Sequence, residues 1–479
     1  MSVKENDIEM IVKQVLLNIQ NVSKSASKPL NLFKSSNPLN STLGVFDDIN
    51  DAIEAAIVAQ KKVKIMTIEQ REAIIKKIRE KTIQNAKELA RLGVEETGMG
   101  RVDHKILKHQ LLANKTPGTE DIKTLAWSGD RGLTLVEMGP FGVIGSITPS
   151  TNPSETILCN SIGMIAAGNT VVFNAHPSSN KVAIMAVKIV NEASIEAGGP
   201  ENIVTTVSSP TLESCNILMK HKDIALIAAT GGPGVVTAAL SSGKRAIGAG
   251  AGNPPVVVDE TADIPKAAKD IIDGASFDNN LPCIAEKEVV AVKEIVDELM
   301  YYMVQNGAYE ITSEEATNLT KIVFIENSGR RSLNRDWVGK DAYKILRALG
   351  IEVSEDIRCI IFKGAKDHPL IAEELMMPIL GVVEVENFDE AVEVAKDLEH
   401  GNRHSAHMHS RNLSNLTRLS REIDTAIFVK NAPSYAALGF GGEGYCTFTI
   451  ASRTGEGLTS AKTFTKSRRC VLADGLSIR

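Results

Sequence analysis

The chain has no surplus of basic charge. Its 53 Lys and Arg stand against 59 Asp and Glu, a formal net charge of −6, and no basic stripe runs along it, so the electrostatic footprint of a nucleic-acid-binding protein is missing. No apolar run approaches the roughly 18 residues that a membrane span requires. The first residues lack the basic start, continuous apolar block and small-residue cleavage site of a secretory signal. The cysteines at positions 159, 215, 283, 359, 446 and 470 form neither CxxC pairs nor zinc spacing, which in a chain of this size points to a reducing interior rather than a disulfide scaffold. GxGxxG is absent, and Gly243-Lys244 is followed by Arg245, so Walker A is absent too. What remains is a soluble, cytosol-type globular protein. Its 43% hydrophobic and 23% charged residues are ordinary for that class, and 479 residues predict two or three domains.

Ile8, Ile11, Val12, Val15, Leu16 and Ile19 form a narrow apolar stripe at helical spacing over residues 5–20. Residues 21–41, rich in Ser, Asn, Lys and Pro, have the composition of a linker. A helix on such a tether reads as a docking peptide that lays its apolar face into a groove on another protein. The alternative is a helix folded back on the body; a membrane-surface helix is disfavoured by the lack of a Lys/Arg or Trp excess. The body starts near Gly44, with long amphipathic helices expected over 47–63, capped by Asp47 or Asp48, and over 67–95. Strand patterns at 133–138, 142–148, 170–173, 203–207 and 224–229 alternate with helical patterns at 154–166, 180–196 and 211–218. This alternation predicts an α/β fold, a parallel sheet covered by helices, with ligands at the carboxyl ends of the strands. A second alternating block covers residues 255–429. Extended segments are expected at Thr447-Phe448-Thr449-Ile450 and Thr463-Phe464-Thr465.

One stretch stands apart: Phe277-Asp278-Asn279-Asn280-Leu281-Pro282-Cys283-Ile284-Ala285-Glu286-Lys287. A helix starting at Asp263-Ile264-Pro265 precedes it and the β-branched run Val289-Val290-Ala291-Val292 follows. Cys283 thus falls in a polar hinge, as a candidate nucleophile or as a small buried hydrophobe. Asn152, after the 142–148 strand and before a helix, is a candidate oxyanion donor or an Asx turn or cap. Thr230-Gly231-Gly232-Pro233-Gly234 offers bare backbone to a phosphate at a helix start. Gly248-Ala249-Gly250-Ala251-Gly252-Asn253 and Gly439-Phe440-Gly441-Gly442-Glu443-Gly444 admit close approach of something flat or bulky. His400, His404, His407 and His409 have no acidic or Cys ligand at metal spacing beside them, so no metal site is assigned.

Gly139-Pro140-Phe141-Gly142-Val143-Ile144-Gly145, Ala166-Ala167-Gly168-Asn169-Thr170-Val171-Val172, Thr230-Gly231-Gly232, Cys283 and Glu373-Glu374-Leu375-Met376-Met377-Pro378 resemble, in wording and order, the aldehyde dehydrogenase superfamily. The resemblance implies a Rossmann-type cofactor domain, an α/β catalytic domain and a small β oligomerisation element. It makes Cys283 the nucleophile and Asn152 the oxyanion amide. Thr151, Asn174, His176, Thr230, Gly231 and Gly232 would lie along the cofactor, and Glu374 would hold the nicotinamide ribose. Hydrolytic members carry a water-activating Glu where this chain has Ala249, which places the chain in the branch that hands its acyl group to coenzyme A. Glu286 is a substitute base or, more simply, a partner of Lys287. The family's adenosine-ribose Lys is missing from Asn174-Ala175-His176-Pro177; NAD is expected, with NADP open.

Asn279 to Lys287, Glu373 to Pro378, Phe440 to Gly444 and Arg468-Arg469-Cys470-Val471-Leu472 are similar to the propionaldehyde and acetaldehyde dehydrogenases of bacterial microcompartments, and the N-terminal helix to their encapsulation peptides. The domains implied are 1–20 (docking helix), 21–43 (linker), 44–124 with 140–250 (NAD-binding), 251–445 (catalytic) and 125–139 with 446–479 (oligomerisation). The expectation is a CoA-acylating oxidation of a short aldehyde, propionaldehyde before acetaldehyde, by a dimer or tetramer in the microcompartment lumen, tied to shell or lumen proteins through residues 1–20. A hydrolytic dehydrogenase and a non-catalytic scaffold are the alternatives.

Overall fold

A computed structural model describes residues 42–327 and 330–478; the helix expected over residues 5–20 and its linker lie outside the described residues. The β-branched runs of the first half pair into a six-stranded, wholly parallel sheet. Its order is Val45–Phe46, Val204–Val207, Thr170–Asn174, Val143–Ile147, Ile224–Thr230, Ala246–Ala249. From Val143–Ile147 the chain steps outward in one direction through Thr170–Asn174 and Val204–Val207. It then returns to the opposite side of Val143–Ile147 with Ile224–Thr230. The strand order therefore reverses beside Val143–Ile147, and a crevice opens outside the carboxyl ends of the strands at such a switch point. Asn152 and the Thr230-Gly231-Gly232 turn both follow strands at this point. Of the two candidate caps for the first long helix, Asp48 is the one used: its Oδ1 accepts from the Asn50 N–H at 2.7 Å.

The second block forms a seven-stranded parallel sheet, with Pro255–Val258, Glu288–Val292 and Ile379–Val385 in its middle. Val256, Val257, Val258, Val289 and Val290 have no exposed surface, as expected of strands covered on both faces. The helix Ile264–Ser276 begins where expected, with the Asp263 carboxylate accepting from the Lys266 N–H at 3.3 Å. Each sheet has its own apolar core. Leu281 packs into the core of the second sheet and Ile284 into that of the first, so the loop carrying Cys283 is clamped at the seam between them.

The sequence reading departs from the structure in three places. The strand at 133–138 belongs not to the parallel sheet but to an antiparallel one, in which Gly132–Pro140 lies between Leu125–Gly129 and the C-terminal Thr465–Ala473. Ala461–Phe464 is a 3-10 turn rather than extended, closed by a Ser460–Thr463 capping box, and only Ile450–Ala451 of the preceding segment is a strand. Finally, the helix Val102–Lys115 was not expected. It buries Lys105, Lys108 and His109 while Leu107 is 37% exposed, an inversion of the usual apolar face.

Candidate active site

The residues before Cys283 adopt a conformation that few sequences tolerate. Asp278, Asn279 and Asn280 have φ of 50°, 55° and 67°, three consecutive left-handed residues. Asn and Asp are the non-glycine residues best suited to that region, which gives the two amides a conformational reason to be there. Their side chains hold the turn. Asn279 Nδ2 donates to the Gly339 carbonyl at 2.9 Å and to Asp341 Oδ1 at 3.1 Å. Asn280 Nδ2 donates to the Ala275 and Glu286 carbonyls at 2.9 and 2.8 Å, and Lys287 Nζ donates back to Asn280 O and Oδ1 at 2.9 and 2.6 Å. Lys287 is thereby occupied with Asn280. Glu286, expected as a base or as its partner, instead accepts from the Ser434 N–H at 2.7 Å. Its carboxyl, fully buried, is pushed up to about 8 by burial. Neither role suits it: the side chain packs against Gly274 and serves the loop at Ser434.

Asn152 occupies the N-cap position of Pro153–Ala166 yet makes no side-chain capping bond, so the Asx-cap reading does not hold. Its Oδ1 instead accepts from Lys108 Nζ at 2.5 Å. An ammonium only donates, so the amide must face Lys108 with its oxygen, and its NH₂ points the other way. Among the described residues that NH₂ has only Thr151 Oγ1, at a long 3.4 Å. The Cys283 N–H donates to no other described residue. Both N–H groups are donors left largely unused by the described residues. Thr151 is fixed by its carbonyl, which accepts from Lys105 Nζ at 3.3 Å.

The cofactor candidates divide. Thr230 ends its strand beside Ala249, and its Oγ1 lies 3.0 Å from Thr449 Oγ1. Gly232 is the N-cap of Pro233–Leu240. A Cβ at Gly232, Gly234 or Gly250 would meet no atom within 4 Å, an open cradle of backbone at a helix start that fits the phosphates of a dinucleotide. Glu374 is half-buried, faces the Gly252 N–H, and acts electrostatically on both Cys283 and Lys287. Asn174, by contrast, is buried with its Oδ1 accepting from Ser214 Oγ at 2.6 Å. His176 caps the short turn Pro177–Ser179, and Arg335, from the other half of the chain, reaches it electrostatically. Ala249 is buried in its strand. The histidines are turned to other uses: His407 Nε2 bonds the Ile284 carbonyl at 2.9 Å and His400 Nε2 the Ala372 carbonyl at 2.7 Å.

The sequence reading missed Lys105, Lys108, Glu155 and Asp278. Asp278 Oδ2 accepts from Lys105 and Lys108 at 3.0 and 2.5 Å, and its Oδ1 from the Arg101 N–H at 2.8 Å. Glu155 Oε1 lies 2.9 Å from Lys108 Nζ. Burial pulls the Lys108 ammonium down, but Asp278 and Glu155 outweigh it and hold its pKa above the ordinary lysine value. At Glu155 the charges of Lys108 and Lys105 overcome burial and keep the carboxyl well below the usual carboxylate range. The available signal was a pair of lysines at i and i+3 directly after a Gly-x-Gly stop, on a segment whose apolar residues suggested the opposite face.

Burial, reinforced by Glu374, pushes the Cys283 thiol up to about 12. The thiol is therefore protonated near neutral pH, and raising the pH generates the reactive thiolate. In a Cys470→Ser background, which removes the one exposed thiol among the described cysteines, alkylation of Cys283 by iodoacetamide is expected to accelerate about tenfold per pH unit between about pH 7 and 9. A rate that levels off below about pH 8 would show an already activated thiol and contradict this.

Residues 39–465 match the model of the aldehyde dehydrogenase family. The chain is 46% identical to the acetaldehyde dehydrogenase (acetylating) EutE of Salmonella typhimurium, over 99% of each chain. It is also 46% identical to the propanal dehydrogenase (CoA-propanoylating) of Citrobacter freundii, over 91% of this chain and 94% of that one. Among solved structures, a propionaldehyde dehydrogenase from the fucose-utilisation bacterial microcompartment of Clostridium phytofermentans superposes with a TM-score of 0.90 at 68% identity, covering 91% of this chain and all of that one. With a family-model match over residues 39–465 and relatives matched along nearly their whole length, the chain belongs to the aldehyde dehydrogenase family.

Proposed function

We propose that this enzyme oxidises a short aliphatic aldehyde, propionaldehyde foremost, to its acyl-CoA with NAD. The observation that carries the acyl-CoA outcome is Ala249: the position that would hold a water-activating carboxylate is a buried methyl. Cys283, as the thiolate, adds to the aldehyde carbon, and the carbonyl oxygen becomes an oxyanion that the Asn152 NH₂ and the Cys283 N–H receive. As the C=O re-forms, the C–H electron pair leaves as hydride; Glu374 and the Thr230-Gly231-Gly232 cradle would hold the nicotinamide ribose and pyrophosphate of a dinucleotide, which would supply the hydride acceptor. A thioester remains on Cys283. Without a positioned base its hydrolysis is slower by a factor of ~10²–10⁴, whereas the CoA thiol, partly ionised near neutral pH, attacks without one. The same two donors hold the second oxyanion, and Cys283 leaves as thiolate; overall one proton is released to solvent.

Relatives bearing both names support a choice between propionaldehyde and acetaldehyde, and the 68% identity to the microcompartment propionaldehyde dehydrogenase favours the former. NAD is favoured over NADP because no lysine stands in the Asn174-Ala175-His176-Pro177 loop and Asn174 is already bonded to Ser214. Steady-state NADH production with acetaldehyde, propionaldehyde and butyraldehyde is expected to require CoA in every case, with the highest kcat/KM for propionaldehyde. Sustained turnover to the free acid without any thiol would instead assign a water-activating role, most simply to Glu374, and remove the acylating reading.

We place the enzyme in the lumen of a bacterial microcompartment, docked to a shell or lumen protein through residues 1–20. The antiparallel sheet exposes Leu125, Trp127, Val471 and Leu472, apolar surface that supports assembly into a dimer or tetramer. Removal of residues 1–20 is expected to leave solution activity and the sedimentation of that oligomer unchanged while abolishing co-assembly with shells. Loss of activity on removal would support a helix folded back on the body instead.

A further inference from the structure

We infer that Lys108 is a positioning residue for the reaction: its ammonium orients the Asn152 amide so that the NH₂, not the carbonyl oxygen, faces the reacting aldehyde oxygen. This rests on the reading of Asn152 as an oxyanion donor. An amide at that site has two orientations of nearly equal shape, and only one of them donates. In the other, Oδ1 would face the developing negative charge and repel it. Something must discriminate between the two faces, and the structure supplies a group that cannot accept a hydrogen bond.

Lys108 suits the task for three reasons. First, it is 1% exposed, so no solvent competes for its hydrogens and the bond to Oδ1 is not diluted by water. Second, its charge is held by partners outside the reaction: Asp278 Oδ2 accepts from it at 2.5 Å, and Glu155 Oε1 pairs with it as an ion at 2.9 Å. Third, no other described side chain selects the amide face of Asn152: Thr151 Oγ1, 3.4 Å from its NH₂, is a hydroxyl that can donate or accept. Asn152 makes no cap bond to its own helix, and its carbonyl, bonded to Thr156 Oγ1 at 2.7 Å, fixes the backbone but not the amide rotamer. Lys105, equally buried, touches the Thr151 carbonyl and Asp278 but not the Asn152 side chain, so it anchors the loop without selecting the amide face. Asp278 keeps Lys105 and the Arg101 N–H if Lys108 is replaced, so its carboxylate retains two of its three ties.

The test compares Lys108→Met and Lys108→Gln with Asn152→Ala and the Lys108→Met/Asn152→Ala double variant, each checked for folding by thermal melt. The expected result is a loss of kcat for propionaldehyde oxidation of about 10²-fold in Lys108→Met, within the range seen when one oxyanion donor is lost. KM should change little, and Lys108→Gln, which restores an N–H donor toward Oδ1, should recover part of the loss. In the double variant kcat should fall no further than in Asn152→Ala alone. Alkylation of Cys283 by iodoacetamide forms no oxyanion and should proceed at the parent rate in both Lys108 variants, whereas general disruption of the site would change it as well. Full activity in Asn152→Ala would remove the oxyanion reading itself. A large loss in Asn152→Ala with losses that multiply in the double variant, or with slowed alkylation, would show that Lys108 acts on the fold and overturn the proposal. If neither Lys108 variant folds, the ammonium is a structural keystone and the positioning role is likewise rejected.

Discussion

A nucleophile on a loop must be held still between two halves that each fold around their own sheet, and the buried Asp278 carboxylate is the interaction that does this. It starts a run of three left-handed residues, takes two lysine ammonium groups and a backbone N–H from the Val102–Lys115 helix region, and so ties the second sheet's loop to a helix of the first half. With no exposed surface, it has no access to water in compensation. Removing one partner from such a buried set typically costs about 3–5 kcal/mol, although the intact set contributes far less than its Coulomb attraction suggests. The geometric return is specificity: Cys283, Asn152 and their donors are referenced to one point.

The same desolvation governs the chemistry. Burial of Cys283 and the nearby Glu374 disfavour the thiolate. A site with few protein bases is well matched to an acceptor that brings its own ionisable thiol. The buried Ala249 methyl and the Glu286 carboxyl committed to Ser434 leave Glu374 as the carboxylate that acts on the sulfur. The glycine cradle at the first sheet's switch point supplies backbone rather than charge.

The fold was largely legible because parallel strands buried on both faces read as uninterrupted β-branched runs, and Val289-Val290-Ala291-Val292 and Thr170-Val171-Val172-Phe173 did so. Periodicity marked 133–138 as a strand but could not name its partner in the last residues of the chain, which entered only through the resemblance that groups 125–139 with 446–479. The Val102–Lys115 helix was hidden because its buried face carries Lys105, Lys108 and His109, and periodicity arguments assign such residues to solvent. Cys283 and Asn152 were found through order and wording. The lysine that sets the direction of Asn152 was not, because its function exists only through oxygens contributed by residues 152, 155 and 278, which are brought together by folding. Asn174 illustrates the converse: a polar residue at a strand's carboxyl end that the structure has already bonded to Ser214.

The account turns on an acyl group that waits on Cys283 for a thiol. Intact-protein mass measurement after mixing with NAD and propionaldehyde, with CoA withheld, tests this most directly. The predicted result is stoichiometric propionyl addition to Cys283 that persists for many turnover times and vanishes on addition of CoA, with propionyl-CoA formed in equal amount. An unmodified chain throughout, or an adduct lost to water as fast as CoA removes it, would contradict the account.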